Sequence, residues 1–138
     1  PTTALDVLIQ AQIIHLLKSL KKQGMSFMLI THDLAVLSEI ADKIGIMYGG
    51  QMVEFGSSEQ IYNNPKHPYT QGLLESIPTL QGNVPKYIKG IPPSLLDKPT
   101  QCRFIERCPL AVEKCKELPP KFKTETGYVR CWLHEDEK

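Results

Sequence analysis

The chain has 138 residues, 41 % of them apolar, and a formal net charge of +1. That is one domain's worth of length, enough to bury a core, with no global field to draw nucleic acid or anionic lipid. No apolar run approaches the roughly 20 residues that span a bilayer, and the opening "PTTALD" has neither the basic nor the apolar region of a signal peptide. It also lacks an initiator Met, so the chain reads as a portion of something longer. "VLIQAQIIHLLKSLKKQG" predicts an amphipathic helix with Ile9, Ile13, Leu16, Leu17 and Leu20 on one face. Asp6 stands at the N-cap position and Gly24 just past the C-terminus, while Lys18, Lys21 and Lys22 suit the negative end of the dipole. "SFMLIT" is a continuous apolar run, which predicts a strand buried on both faces. "HDLAVLSEIAD" predicts a second helix with Leu34, Leu37 and Ile40 or Ala41 inward. "KIGIMY" and "QMVEFG" predict two strands joined by Gly49-Gly50, a hairpin signal. Ser57 or Ser58 caps a last short helix, "SEQIYNN".

The order is therefore helix, strand, helix, strand, turn, strand, helix. It predicts an α/β fold, half of a doubly wound sheet followed by an antiparallel hairpin. "SFMLIT" carries no charge and no proline, so it makes a poor edge and calls for neighbours on both sides. Few of the 11 prolines precede Pro65. The shift divides the chain into a compact 1–64 and a loop-rich 65–138 that needs support from outside its own small core. Within 65–138, Pro68 opens a helix with Tyr69, Leu73 and Leu74 as its packing face, and Tyr87 and Ile88 suggest a small strand.

All four cysteines lie late, at Cys102, Cys108, Cys115 and Cys131, spaced C-x5-C-x6-C-x15-C. Pro109 suits the first turn of a helix "PLAVEKC" ending in Cys115, and "YVRCWL" predicts a strand holding Cys131. Three readings are open on spacing. Disulfides belong to secreted domains, and nothing here indicates secretion. Structural zinc sites usually contain tight C-x2–4-C knuckles, which are lacking. An iron–sulfur cluster also takes four thiolates and tolerates wider loops.

Several runs together resemble the C-terminal part of an ABC-transporter ATPase: "TALD" its D-loop, "LITHD" the strand ending in the switch histidine, "YGGQMVEFG" the hairpin that follows. "NNPKHPYTQGLLESIP" with the cysteines looks like the ATPase subunits of dipeptide and oligopeptide importers. The resemblance covers essentially the whole chain. It implies an incomplete P-loop ABC ATPase domain over 1–64 and an importer-type extension with a four-cysteine site over 65–138. It implies that His32 reaches the γ-phosphate and orients the attacking water; local sequence alone reads His32 as a strand-end or capping side chain. Thr3, Ala4, Leu5 and Asp6 become the D-loop that touches the opposite subunit, a role compatible with Asp6 as N-cap. Asp33 caps the helix after His32 and carries no chemistry. His15 is a packed or surface histidine, and His67 is structural.

The resemblance also implies ATP and Mg²⁺ as cofactors of the full-length protein. It implies a [4Fe–4S] cluster, with zinc as the alternative, on Cys102, Cys108, Cys115 and Cys131. Arg103, Arg107 and Arg130 either offset the charge of such a cluster or are ordinary solvated arginines. A second ATPase subunit, membrane permease subunits and, indirectly, an extracytoplasmic peptide-binding protein are the implied partners. The implied location is the cytoplasmic face of the cell membrane. No G-x-x-x-x-G-K-[ST] is present: Gly45 to Gly50 has the glycine spacing, but Gln51 stands where Lys is required. Without that loop the chain alone is expected not to hydrolyse ATP. The rival readings are an ABC ATPase for another substrate, such as nickel or a sugar, and a stand-alone zinc-binding interaction module. Near-neutral charge argues against nucleic acid as a partner.

Overall fold

A computed structural model describes residues 7–77 and 87–136. The chain forms two compact units, 1–42 and 43–138.

In the first unit, α1 (Val7–Lys22) and α2 (Leu34–Ile40) are the regular elements among the described residues. Gly24, at φ 89°, closes α1 as expected: the Met25 amide reaches back to the Leu20 carbonyl and the Gly24 amide to that of Lys21. Asp33 caps α2, its carboxylate accepting from the amides of Ala35 and Val36. The Asp6 cap lies outside the described residues. Gln10 donates to Asp33 at 3.1 Å, and Lys18 and Lys21 pair with Glu39 and Asp42. Ile14, Val36 and Ile40 are buried between the helices. This shifts the expected face of α1: Ile13, Leu17 and Leu20 are half-buried, whereas Ile9 and Leu16 are exposed. A partner helix of seven residues covers only a narrow stripe.

Residues 26–31 correct the expectation of a doubly buried strand. They form no strand, and Met28 and Ile30 are largely exposed. Extended backbone becomes a strand by exchanging ladder hydrogen bonds, and no neighbour among the described residues supplies them.

The second unit is built on an antiparallel sheet of β1 (Lys43–Tyr48), β2 (Gln51–Ser57), β3 (Phe122–Lys123) and β4 (Tyr128–Val129), in the order β1-β2-β4-β3. The predicted hairpin is present. Gly49 and Gly50 both take positive φ, 54° and 78°, as a two-residue turn of this kind demands. Side chains of β1 alternate between exposed and buried along its length. Strand β4 then pairs with β2, placing Val129 opposite Glu54 and Tyr128 opposite Phe55. The sheet therefore joins the hairpin to a segment near the C-terminus. It is antiparallel throughout, so the parallel, doubly wound arrangement does not appear among the described residues.

Helix α3 (Ser58–Asn63) is capped by Ser57, whose hydroxyl accepts from the Gln60 amide. Its Gln60 carbonyl oxygen gathers donors from Thr124 and Thr126, and the Ser57 amide donates to Thr126 at 2.8 Å. These bonds fasten the β3–β4 turn to the start of α3. Helix α4 (Pro68–Glu75) begins at the predicted proline. Residues 87 and 88 form no strand.

Candidate metal centre

Between Cys102 and Cys108 the chain makes a tight loop around a single 3-10 turn, Ile105–Arg107. Its amides close on its own carbonyls, Ile105 on Cys102 at 3.1 Å and Arg107 on Phe104 at 3.0 Å. Phe104, 2 % exposed, is the apolar root of this loop. It packs edge-on against Tyr48 of β1, with ring centroids 5.1 Å apart, and against Tyr69 of α4 at 5.4 Å. His67 completes the box at 5.8 Å. The "HPYT" run thus supplies two walls of the pocket that holds the cysteine loop.

His67 is 1 % exposed. Its Nδ1 accepts from the Tyr69 amide at 3.0 Å, capping α4, so the neutral ring carries its proton on Nε2. Burial, assisted by nearby His134, lowers its pKa from 6.5 to about 4. Glu54, fully buried in β2, holds the backbone just before it: one carboxylate oxygen accepts from the Lys66 amide at 2.7 Å, the other from the His67 amide at 3.0 Å. His134 donates from Nε2 to the Lys66 carbonyl at 2.9 Å. The structural role expected of His67 stands. Glu54 and His134 were not expected; a glutamate inside an otherwise apolar strand was the available signal.

The remaining cysteines are brought to the same region by different means. The Cys102 amide donates to the Cys115 carbonyl at 3.0 Å, tying the two segments together. Cys131 follows β4, and the Arg130 amide extends the ladder by donating to the Val53 carbonyl at 2.8 Å. The strand expected to hold Cys131 is shorter: β4 ends at Val129, and Cys131 lies beyond it at the start of the 3-10 turn Trp132–His134. The expected helix over 109–115 is absent; one 3-10 turn, Glu113–Lys116, carries Cys115. Leu110 and Val112 are exposed, so a helix there would bury no apolar face.

All four thiols are free, and Cys115 and Cys131 are buried. Backbone amides face three of the sulfurs: those of Phe104 and Ile105 face Cys102, that of Leu110 faces Cys108, and that of Leu133 faces Cys131. Such bonds favour the thiolate that binds metal. Burial opposes them. It raises the Cys102 and Cys108 pKa values and lifts Cys131 to about 11, and repulsion from the other cysteines adds to each rise. Cys102, Cys108 and Cys131 thus each lie within electrostatic reach of Cys115. Among the described residues, however, no group of three or more His, Cys, Asp or Glu side chains is placed to hold a metal ion.

The arginines beside the cysteines bind backbone carbonyls. Arg130 donates to Pro119, Arg103 to Ser94 and Asp97, and Arg107 to Ile88 and Lys89. His32 is exposed, one residue before the α2 cap, and His15 is exposed on α1. Thr3, Ala4, Leu5 and Asp6 lie outside the described residues.

Residues 53–115 match the family described as "oligopeptide/dipeptide transporter, C-terminal region". The dipeptide transport ATP-binding protein DppD of Caldanaerobacter subterraneus is 49 % identical over 99 % of this chain and 43 % of its own length. The oligopeptide transport ATP-binding protein AppD of Bacillus subtilis is 48 % identical over the same shares. The oligopeptide transport ATP-binding protein OppD of Haemophilus influenzae is 45 % identical over 96 % of the chain and 42 % of its own length. The chain is similar to these peptide-transport ATP-binding proteins over nearly all of its own length. It spans less than half their length. The matched family region takes in Glu54, the His67–Tyr69 walls and three of the four cysteines; Cys131 lies beyond it.

Proposed function

We propose that the chain serves as the C-terminal portion of an ATP-binding subunit that powers peptide import through an ABC transporter. The observation that carries this is the similarity, over nearly the whole of this chain, to proteins whose names specify dipeptide or oligopeptide transport. In this reading residues 1–64 belong to the ATPase domain and 65–138 form its extension. The complete subunit binds ATP and Mg²⁺, pairs with a second ATPase subunit through the loop Thr3–Asp6, and works on permease subunits at the cytoplasmic face of the membrane. No helix among the described residues is long and apolar enough to cross a membrane itself. His32, exposed beside the start of α2, orients the attacking water at the γ-phosphate.

Cys102, Cys108, Cys115 and Cys131 hold a metal group, a [4Fe–4S] cluster in preference to zinc. Four free thiols, three of them faced by backbone amides, suit thiolate ligation. When bound, the group cross-links four chain segments and so supplies folding energy to the extension.

Two measurements test the reading. In the complete transporter, His32→Ala abolishes ATP turnover while ATP binding persists; unchanged hydrolysis removes the assigned role. Purified without oxygen, the protein shows absorption at about 400 nm with iron and sulfide present. A colourless protein with stoichiometric zinc establishes zinc instead.

A further inference from the structure

His32 stands in a loop shaped by its two neighbours. The Asp33 amide donates to the Thr31 hydroxyl at 3.0 Å and closes a turn around His32. The Asp33 carboxylate then divides its oxygens. Oδ1 accepts from the Ala35 and Val36 amides at 2.9 and 3.3 Å and so caps α2. Oδ2 accepts from the side-chain amide of Gln10, on α1, at 3.1 Å. Gln10, Thr31 and Asp33 are half-buried, and His32 is exposed.

The bonds to Thr31, Ala35 and Val36 all fall within residues 31–36, so they shape the loop without placing it. Placement comes from α1. Lys18 and Lys21 tie that helix to Glu39, to the Ile40 carbonyl and to Asp42, all at or beyond the C-terminal end of α2. At the end that carries His32, the tie is Gln10. A side-chain amide donating to a carboxylate makes a charge-assisted bond, stronger than one between neutral groups. The exposed His32 ring takes its place from the backbone that this bond holds.

We propose that Gln10 is a positioning residue for His32: by holding Asp33 it fixes the loop 31–33 against α1 and sets the ring where it meets the attacking water. The inference rests on the reading that His32 orients that water at the γ-phosphate. Gln10 acts through Asp33 and takes no part in the chemistry itself.

The test compares three variants with the wild type in the complete transporter. Gln10→Met keeps length and helix propensity but cannot donate. Gln10→Lys donates to Asp33 through its ammonium. His32→Ala removes the ring. The number of ATP-binding sites counts folded subunits, so turnover is read per bound ATP. Gln10→Met is expected to lower kcat per site about tenfold, since displacing a positioned group by 1 Å can cost about 10²-fold. Its KM for ATP is expected to stay within about twofold, the lost contact serving the reaction and not ground-state binding. Gln10→Lys is expected to recover most of the wild-type rate. A bond that merely stabilised the fold would lower the number of binding sites and leave turnover per site unchanged; that result overturns the proposal. Equally slow Gln10→Met and Gln10→Lys also overturn it, because donation to Asp33 is then not what matters. Fast Gln10 variants beside an inactive His32→Ala overturn the positioning role and leave the role of His32 standing. Full hydrolysis by His32→Ala overturns both.

Discussion

Acid should weaken this protein through one residue, His67. Protonating the buried ring does two things: it places a charge in an aromatic box, and it turns Nδ1 from an acceptor into a donor aimed at the Tyr69 amide. The folded pKa of about 4 lies below the ordinary 6.5, so the native state prefers the neutral ring. The stability this gives is complete above the unfolded value and is lost as pH falls from 6.5 toward 4. The full difference corresponds to about 3 kcal/mol, of which about 2 kcal/mol is lost between about pH 7.5 and pH 5. His67→Asn supplies the control, because Asn caps a helix well and does not titrate. Urea unfolding can be followed by Trp132, the sole tryptophan, which donates to the Glu117 carbonyl and packs on Phe122. Other groups titrate in both proteins and cancel in the comparison. The wild type should lose about 2 kcal/mol more than His67→Asn over that interval. Parallel stability curves for the two proteins would refute the assignment.

Two further substitutions probe the frame around the site. Glu54→Gln leaves one of the Lys66 and His67 amides facing an NH₂ group, and it should cost about 2 kcal/mol in the same urea assay; an unchanged midpoint would mean that those amides find other partners. Gly127→Ala places a Cβ 2.0 Å from the Phe55 carbonyl oxygen, a backbone atom that cannot move without parting β2 from β4. A thermal melt should show a large loss, whereas Gly45→Ala, whose one close clash is with the flexible thioether of Met52, should melt close to the wild type.

What was legible in the sequence was local. Gly24, Asp33, the Gly49-Gly50 turn, Ser57 and Pro68 each act within a few residues, and each sits where its chemistry placed it. The misreadings have one physical cause, because they depended on what lies across space. "SFMLIT" has the composition of a buried strand, but a strand exists only by pairing. "PLAVEKC" has a helix-starting proline, but one 3-10 turn suffices where nothing apolar needs covering. In the reverse direction, a strand was expected at "YVRCWL", but its partner was not; β4 pairs with β2, and that pairing carries the chain to Cys131.

The same contrast explains how the cysteine region holds together. Spacing alone could say that four thiols were available, but not what would gather them. The gathering is done by groups that read as ordinary in one dimension: an inward glutamate, a neutral histidine and the ring of Phe104. Glu54 fixes the backbone at His67, His67 and Tyr69 wall in Phe104, and Phe104 roots the loop between Cys102 and Cys108. Each contact links sheet, helix and cysteine loop in one direction of dependence. A change at Glu54 should therefore reach the thiols without touching them: in Glu54→Gln a thiol reagent should label the buried Cys115 and Cys131 faster than in the wild type, and equal rates would break this chain of dependence.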